Sequence, residues 1–237
     1  GKEGKWLFTL QNPSVMPFLQ YADNRELRKK IWEAYQLKGN NDNDSDTKEI
    51  LVKIANLRLE KAKLLGYSSH AAYVLEESMA ENPANVNALL NKIWAPALQK
   101  AKIEAADIQK EIDAAKDTFT VAPYDWRYYQ EKIRQKRFAL NEEEIKPYFS
   151  LTDVREGAFA TANKLWGISF VALNNVPVYH PEVEVYEVRD KDGSHLGLLY
   201  ADFFPRESKR SGAWMTSYRS QSRQNGKRIA PVISIVC

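Results

Sequence analysis

The side chains of this chain that could do chemistry are three histidines, one cysteine and a few carboxylate clusters, and their spacing limits what they can do. His70, His180 and His195 include no pair at the i, i+4 separation that puts two imidazoles on one helix face, and none has a cysteine beside it. A catalytic zinc takes three protein ligands, so the pattern predicts no complete metal site within the chain. DNDSDTKEILVK, Asp42 to Lys53, begins like a calcium loop, with Asp42, Asp44 and Asp46 at alternate positions. Thr47 then stands where the turn needs glycine and Lys53 where a bidentate glutamate belongs, so the stretch reads as a solvated loop entering a helix. GSHLG, Gly193 to Gly197, has the wrong glycine spacing for a dinucleotide loop. Nothing resembles a Ser-His-Asp set, and Cys237 closes an apolar run where it reads as a strand residue. Glu142 to Glu144 fit a helix N-terminus, where acids complement the dipole. From Arg206 to Arg228 seven Lys or Arg face only Glu207; the stretch suits phosphate but reads as a basic surface loop.

The elements around these residues are mostly helical. DNRELRKKIWEAYQL offers Asp23 or Asn24 as N-cap and places Leu27, Ile31, Ala34 and Tyr35 on one stripe. After the polar GNNDNDSD loop, a second helix buries Ile50, Ile54, Leu57 and Leu64 and stops at Gly66. Ser68 or Ser69 caps a third helix, and Asn82-Pro83 ends it and opens a fourth. The fourth carries an apolar stripe through Val86, Leu90, Ile93, Ala97, Ala101, Ile108 and Ile112, with Pro96 expected to kink or divide it. Shorter helices are expected in PYDWRYYQEKIRQKRF, NEEEIKPYF and LTDVREGAFATANKLWG. Past Gly167 the period changes: VEVYEVRD, the turn Asp192-Gly193 and LGLLYADFF form a hairpin, and IAPVISIVC reads as a further, buried strand. The fold class is therefore mainly α with a small antiparallel sheet in the C-terminal third, an α+β arrangement. Residues 1–167 form a helical body and 168–237 a β region.

Composition agrees. With 44% hydrophobic and 27% charged residues the chain can bury a sizeable core, and 34 basic against 31 acidic residues imply neither a nucleic-acid nor a membrane partner. One cysteine precludes an internal disulfide, which fits the cytoplasm ahead of the periplasm. The start, GKEGKWLFTL, lacks an initiator methionine and a signal-like segment, and the end is an apolar strand, so both ends suggest an internal piece of a longer protein.

APYDWRYYQEKIR (Ala122 to Arg134) and HPEVEVYEVRDKDGSHLGLLYADFFPRESKRSGAWM (His180 to Met215) resemble the zinc oligopeptidase family of thimet oligopeptidase, neurolysin and oligopeptidase A. The resemblance is nearest to its peptidyl-dipeptidase branch, the dipeptidyl carboxypeptidases. FTLQNPSVMPFLQYADNRELRKKIWEAY and LRLEKAKLLGYSSHAAYVLEESMAENP extend it over nearly the whole chain. It implies a two-lobed, zincin-type channel peptidase with one zinc on the channel floor, held by the two histidines of an HExxH helix and a later glutamate. The motif glutamate acts as general base. No HExxH occurs between Gly1 and Cys237; in the family it follows the segment that PVISIVC resembles. The resemblance thus implies a fragment of a zinc metallopeptidase that removes C-terminal dipeptides from short peptides. The zinc belongs to the parent enzyme, and this chain alone carries no catalytic residue, binds no zinc and is inactive.

By analogy with zinc peptidases, substrate backbone would pair with an exposed edge strand near SGAWM, where Gly212 and Ala213 admit a second backbone closely. The same residues also fit a glycine turn before a core tryptophan. Asp125, Tyr128 and Tyr129 of YDWRYY are further channel candidates, and they equally suit packing between lobes. The alternatives are an endo-acting oligopeptidase of the same family and a non-catalytic helical module that binds peptides or partners.

Overall fold

The computed structural model describes residues 3–210 and 212–237; Gly1, Lys2, Ser211 of the SGAWM stretch and the side chain of Glu143 lie outside the described residues. The chain forms two compact units, 1–140 and 141–237, each with its own packing.

The first unit is helical: α1 (Asn12–Tyr21), α2 (Arg25–Gln36), α3 (Lys48–Leu64), α4 (His70–Leu75), α5 (Pro83–Ala114) and α6 (Trp126–Phe138). The starts lie where local chemistry puts them. Asn24 accepts from Leu27 N at 3.0 Å, Ser69 from Ala72 N at 3.1 Å and Asn82 from Asn85 N at 3.0 Å, each satisfying an amide the helix cannot. Gly66 follows α3 at φ +86°, a backbone region that favours glycine. Pro96 does not divide α5, whose 32 residues run through it, because the lost hydrogen bond is one among many in a long ladder.

Two expectations fail. Of the stripe on α3, Ile50, Ile54, Leu57 and Leu64 are all exposed, Leu64 at 88%, and Ala62 is the buried residue instead. Of the stripe on α5 only Ile108 and Ile112 are buried, while Leu90 and Ile93 face solvent. An amphipathic face is buried only where a partner layer lies on it, and the C-terminal part of α5 finds one in α6. There Ile108, Ile112 and Tyr129 form the core, with Phe119, Val121, Trp126 and Ile133 packed around them.

The second unit begins with α7 (Glu142–Ile145), a 3-10 turn at Lys146–Tyr148 and α8 (Leu151–Trp166), capped by Ser150. The strands follow: β1 (Ser169–Ala172), β2 (Glu184–Arg189), β3 (His195–Asp202), β4 (Trp214–Arg219), β5 (Ser222–Gln224), β6 (Lys227–Ile229) and β7 (Val232–Val236). Phe159 of α8 stacks on Phe170 of β1 at 4.0 Å between ring centres and meets Tyr186 edge-on, which ties helix to sheet.

The main sheet has the order β1-β2-β3-β7-β4, with β5 and β6 pairing separately. It is mixed, not antiparallel throughout as the hairpin alone led us to expect: β3 and β7 are parallel. The reason is topological. The chain leaves β3, runs β4 along the sheet edge, turns through β5 and β6 and re-enters between β3 and β4; a strand antiparallel to β4 in that gap must run parallel to β3. β7 is thus an interior strand, which suits its nearly continuous Val and Ile. Among the described residues no helix is long and apolar enough to cross a membrane.

Candidate functional site

In the second unit the last strand pair frames a polar centre. The register places Tyr200 and Asp202 of β3, Ser234 and Val236 of β7, and Trp214 and Thr216 of β4 on one face of the sheet. Asp202 has no exposed surface. Its carboxylate accepts a bidentate pair from Arg206, Nη1 at 2.9 Å and Nη2 at 2.8 Å, together with Lys209 Nζ at 2.8 Å and Tyr179 Oη at 2.9 Å. These donors, Arg206 foremost, hold the carboxyl well below the usual carboxylate range. Burial first and then the Asp202 charge push the Tyr179 phenol well above its ordinary value, so it stays a proton donor. Lys209 also lies within hydrogen-bond distance of three carbonyl oxygens, Asp202 at 3.0 Å, Phe204 at 2.7 Å and Cys237 at 2.8 Å. Cys237 N in turn donates to Asp202 O at 2.8 Å. One buried carboxylate therefore fastens the loop after β3 to the end of β7.

That loop leads to Gly212 and Ala213. Both are exposed, Gly212 has φ +112°, and they immediately precede β4, which bonds to β7 on one side and has no second neighbour among the described strands. A Cβ built on Gly212 would meet nothing within 4 Å, so its glycine character answers the backbone conformation and not crowding inside the chain.

The YDWRYY residues lie in the first unit and have different roles from one another. Asp125 is fully buried and saturated: Arg25 Nε and Nη2 reach its two oxygens at 3.0 and 2.9 Å, Arg28 Nη2 is at 3.0 Å and Ala122 N at 3.1 Å. It faces no open wall of this unit. Arg28 is itself 1% exposed, donates to the carbonyls of Ala22 and Asp23, and lies over the Tyr128 ring at 4.1 Å. Tyr128 donates to Asp23 at 2.6 Å and Tyr129 to Asp117 at 3.1 Å. Burial, and then those carboxylates, push both phenols up to about 12. The two tyrosines line a groove of about 450 Å³ with Glu111, Asp117, Lys132 and Lys136.

The remaining sequence candidates are quickly placed. In the Asp42 to Lys53 loop, Asp42 and Asp46 pair with Lys48, and Asp46 accepts from Lys48 N, so its acids serve the loop and the helix entry. His195 contacts Glu187 at 2.9 Å, and His180 Nδ1 accepts from Glu182 N. Among the described residues no three His, Cys, Asp or Glu side chains come together around a point that could hold an ion. The described residues therefore do not fit the zinc that the resemblance implies.

Sequence reasoning did not single out Arg25, Arg28, Tyr179, Asp202, Arg206 or Lys209 as a working group. One signal was available: Asp202 interrupts the apolar run LGLLYADFF, and a carboxylate in a buried strand needs cations.

A helical unit followed by a small sheet is what the resemblance leads one to expect of a channel-peptidase segment. The chain belongs to Peptidase family M3, whose profile matches residues 18–237. It is 39% identical over 238 residues to a dipeptidyl carboxypeptidase of Salmonella typhimurium, covering 100% of this chain and 35% of that protein. It is 38% identical over 247 residues to the Arabidopsis thaliana protein named "Probable cytosolic oligopeptidase A", covering 99% and 34%. To oligopeptidase A of Escherichia coli it is 32% identical over 237 residues, covering 98% and 35%. The chain spans about a third of the length of these curated relatives.

Proposed function

We propose that this chain is the substrate-positioning part of a zinc-dependent peptidyl-dipeptidase, which removes dipeptides from the C-termini of oligopeptides. The observation that carries the reading is 39% identity to a dipeptidyl carboxypeptidase across the entire chain. In this reading zinc and the groups that act at the scissile bond come from residues beyond 1–237, and residues 1–237 bind and orient peptide. The outer edge of β4 offers unpaired backbone donors and acceptors to an extended peptide, and Gly212 and Ala213 let that backbone approach. The Asp202 centre supports this by fixing the loop that leads into β4. Tyr128 and Tyr129 present a groove wall to a bound peptide, with Asp125 holding the α2–α6 contact behind them. The endo-acting alternative also has an observation in its favour, the 38% identity to a protein named as an oligopeptidase A.

The test compares two polypeptides on an N-blocked pentapeptide and on its C-terminal amide, with products read by mass spectrometry. The 237-residue chain with added zinc is expected to cleave neither. The complete product of its gene is expected to release a C-terminal dipeptide from the free acid only, and a chelator to abolish that cleavage. Release of internal fragments from both peptides favours the endo reading. Chelator-sensitive cleavage by the 237-residue chain overturns the assignment of its role, and a complete product that binds peptide but never cleaves it indicates a binding module.

A further inference from the structure

Within the basic stretch, Arg206 and Lys209 are committed to Asp202, and Arg219 donates to Ala230 O at 2.8 Å. Arg210 is different. Among the described residues it has no carboxylate partner, and its guanidinium lies over the Trp214 ring at 5.7 Å. Among the described residues none of its N–H groups donates a hydrogen bond, so the ring contact leaves them available. Arg210 and Trp214 line a pocket of about 270 Å³ on the Ser234 face of the sheet. Ser234 also lines it, is 0% exposed, and its hydroxyl has no hydrogen-bond partner among the described residues. Folded interiors seldom leave such a hydroxyl unpaired, so it offers a polar partner to a ligand on this face of the sheet.

The pocket's chemistry selects the class of that group. The lining holds three cations, Arg206, Lys209 and Arg210, against one carboxylate, Asp202, whose acceptor capacity is already taken. An anion is favoured, and a cation would meet net repulsion. Trp214, Tyr218 and Tyr179 supply aromatic surface, and the volume is at the small end for a ligand site, about one large amino-acid residue. We propose that this pocket binds a small carboxylate carrying an aromatic or apolar group, its carboxylate bridging the Arg210 edge and the Ser234 hydroxyl. The planar fork of Arg210 suits two parallel bonds to such a carboxylate. The proposal does not rest on the peptidase reading, because binding is measured on a chain that need cleave nothing.

Isothermal titration of the 237-residue chain at low ionic strength with N-acetylphenylalanine, and with its amide, tests it. Saturable binding of the acid is expected, with the amide weaker by about tenfold or more, the loss appropriate to a charge-assisted bond. Arg210→Gln is expected to weaken the acid by about tenfold or more. Ser234→Ala removes only a hydroxyl and is expected to weaken it several-fold, with the circular dichroism of both variants unchanged. Equal affinity for acid and amide, no saturable binding to the wild type, or an Arg210→Gln variant as tight as wild type each overturns the proposal. A short peptide ending in phenylalanine separates two sources of the carboxylate: equal binding assigns the pocket to peptide C-termini, and binding of the single residue alone assigns it to free acids.

Discussion

Replacing Asp202 with asparagine keeps the shape of the buried centre and removes its one negative charge. Asp202 is fully buried, the Lys209 side chain is 6% exposed and the Arg206 side chain 22%, so the variant takes the paired carboxylate from one almost wholly buried cation and from one partly buried one. Breaking a buried pair from one side typically destabilises by about 3–5 kcal/mol. Here the lower end, about 3 kcal/mol, is expected, because Arg206 keeps partial access to water and Lys209 keeps three carbonyl acceptors. The pH dependence has a definite sign. A carboxyl held low in the folded state contributes stability that is complete above its unfolded value, about 3.9, and is lost as pH falls towards the folded one. The gap between wild type and Asp202→Asn should therefore be constant at neutral pH and should narrow below about pH 4. Urea unfolding at pH 7 and pH 3 measures the gap, and amide exchange of β3 and β7 localises it. A gap under about 1 kcal/mol at pH 7, or one that does not shrink in acid, refutes the view of Asp202 as a buried charge anchor.

Further outcomes follow from single contacts. A Cβ on Gly197 would meet Pro231 O at 2.8 Å and Pro231 Cγ at 2.9 Å, where β7 begins, so Gly197→Ala should lower stability by about 1–3 kcal/mol in thermal or urea unfolding. Asp125→Asn strands Arg28, 1% exposed, and should destabilise the first unit by about 3 kcal/mol or more, read by amide exchange in α2 and α6. Leu57→Gln and Leu90→Gln alter exposed side chains and should leave the stability of the 237-residue chain within about 0.5 kcal/mol. If the proposed parent covers these stripes, the same changes should lower the melting temperature of the complete gene product by several degrees; an unchanged value there means that the stripes stay exposed.

Features decided within a few residues were legible in the sequence. Asn24, Ser69 and Asn82 cap because a short polar side chain finds an amide three residues on, and the β2–β3 hairpin turns where Asp192-Gly193 permits φ of +83° at Gly193. The helix Asn12–Tyr21 was not assigned from sequence, since Pro13 and Pro17 obscure its period although Val15 and Leu19 are buried. Periodicity also named the apolar faces of α3 and α5 without saying what lies on them. A stripe states that a helix has an inner side; the burial of that side depends on residues elsewhere in the fold.

The polar interior was the least legible part, for a related reason. Arg28 and Asp125 are 97 positions apart and Lys209 and Cys237 are 28 apart, so neither contact leaves a local pattern. Yet these charges carry more positional information than the apolar residues around them. A valine in β7 packs acceptably against many neighbours, whereas a carboxylate with no exposed surface is tolerated only where several donors converge on it. Asp202 therefore constrains three segments at once: the end of β3, the loop through Lys209, and the exit of β7 at Cys237 O. If β4 presents its edge to peptide, the entry to that edge is set by an ion pair on the other side of the loop. If the complete gene product is the proposed peptidase, a substitution at Asp202 should then raise its KM for peptides more than it lowers kcat, whereas loss of a group acting at the scissile bond would do the reverse.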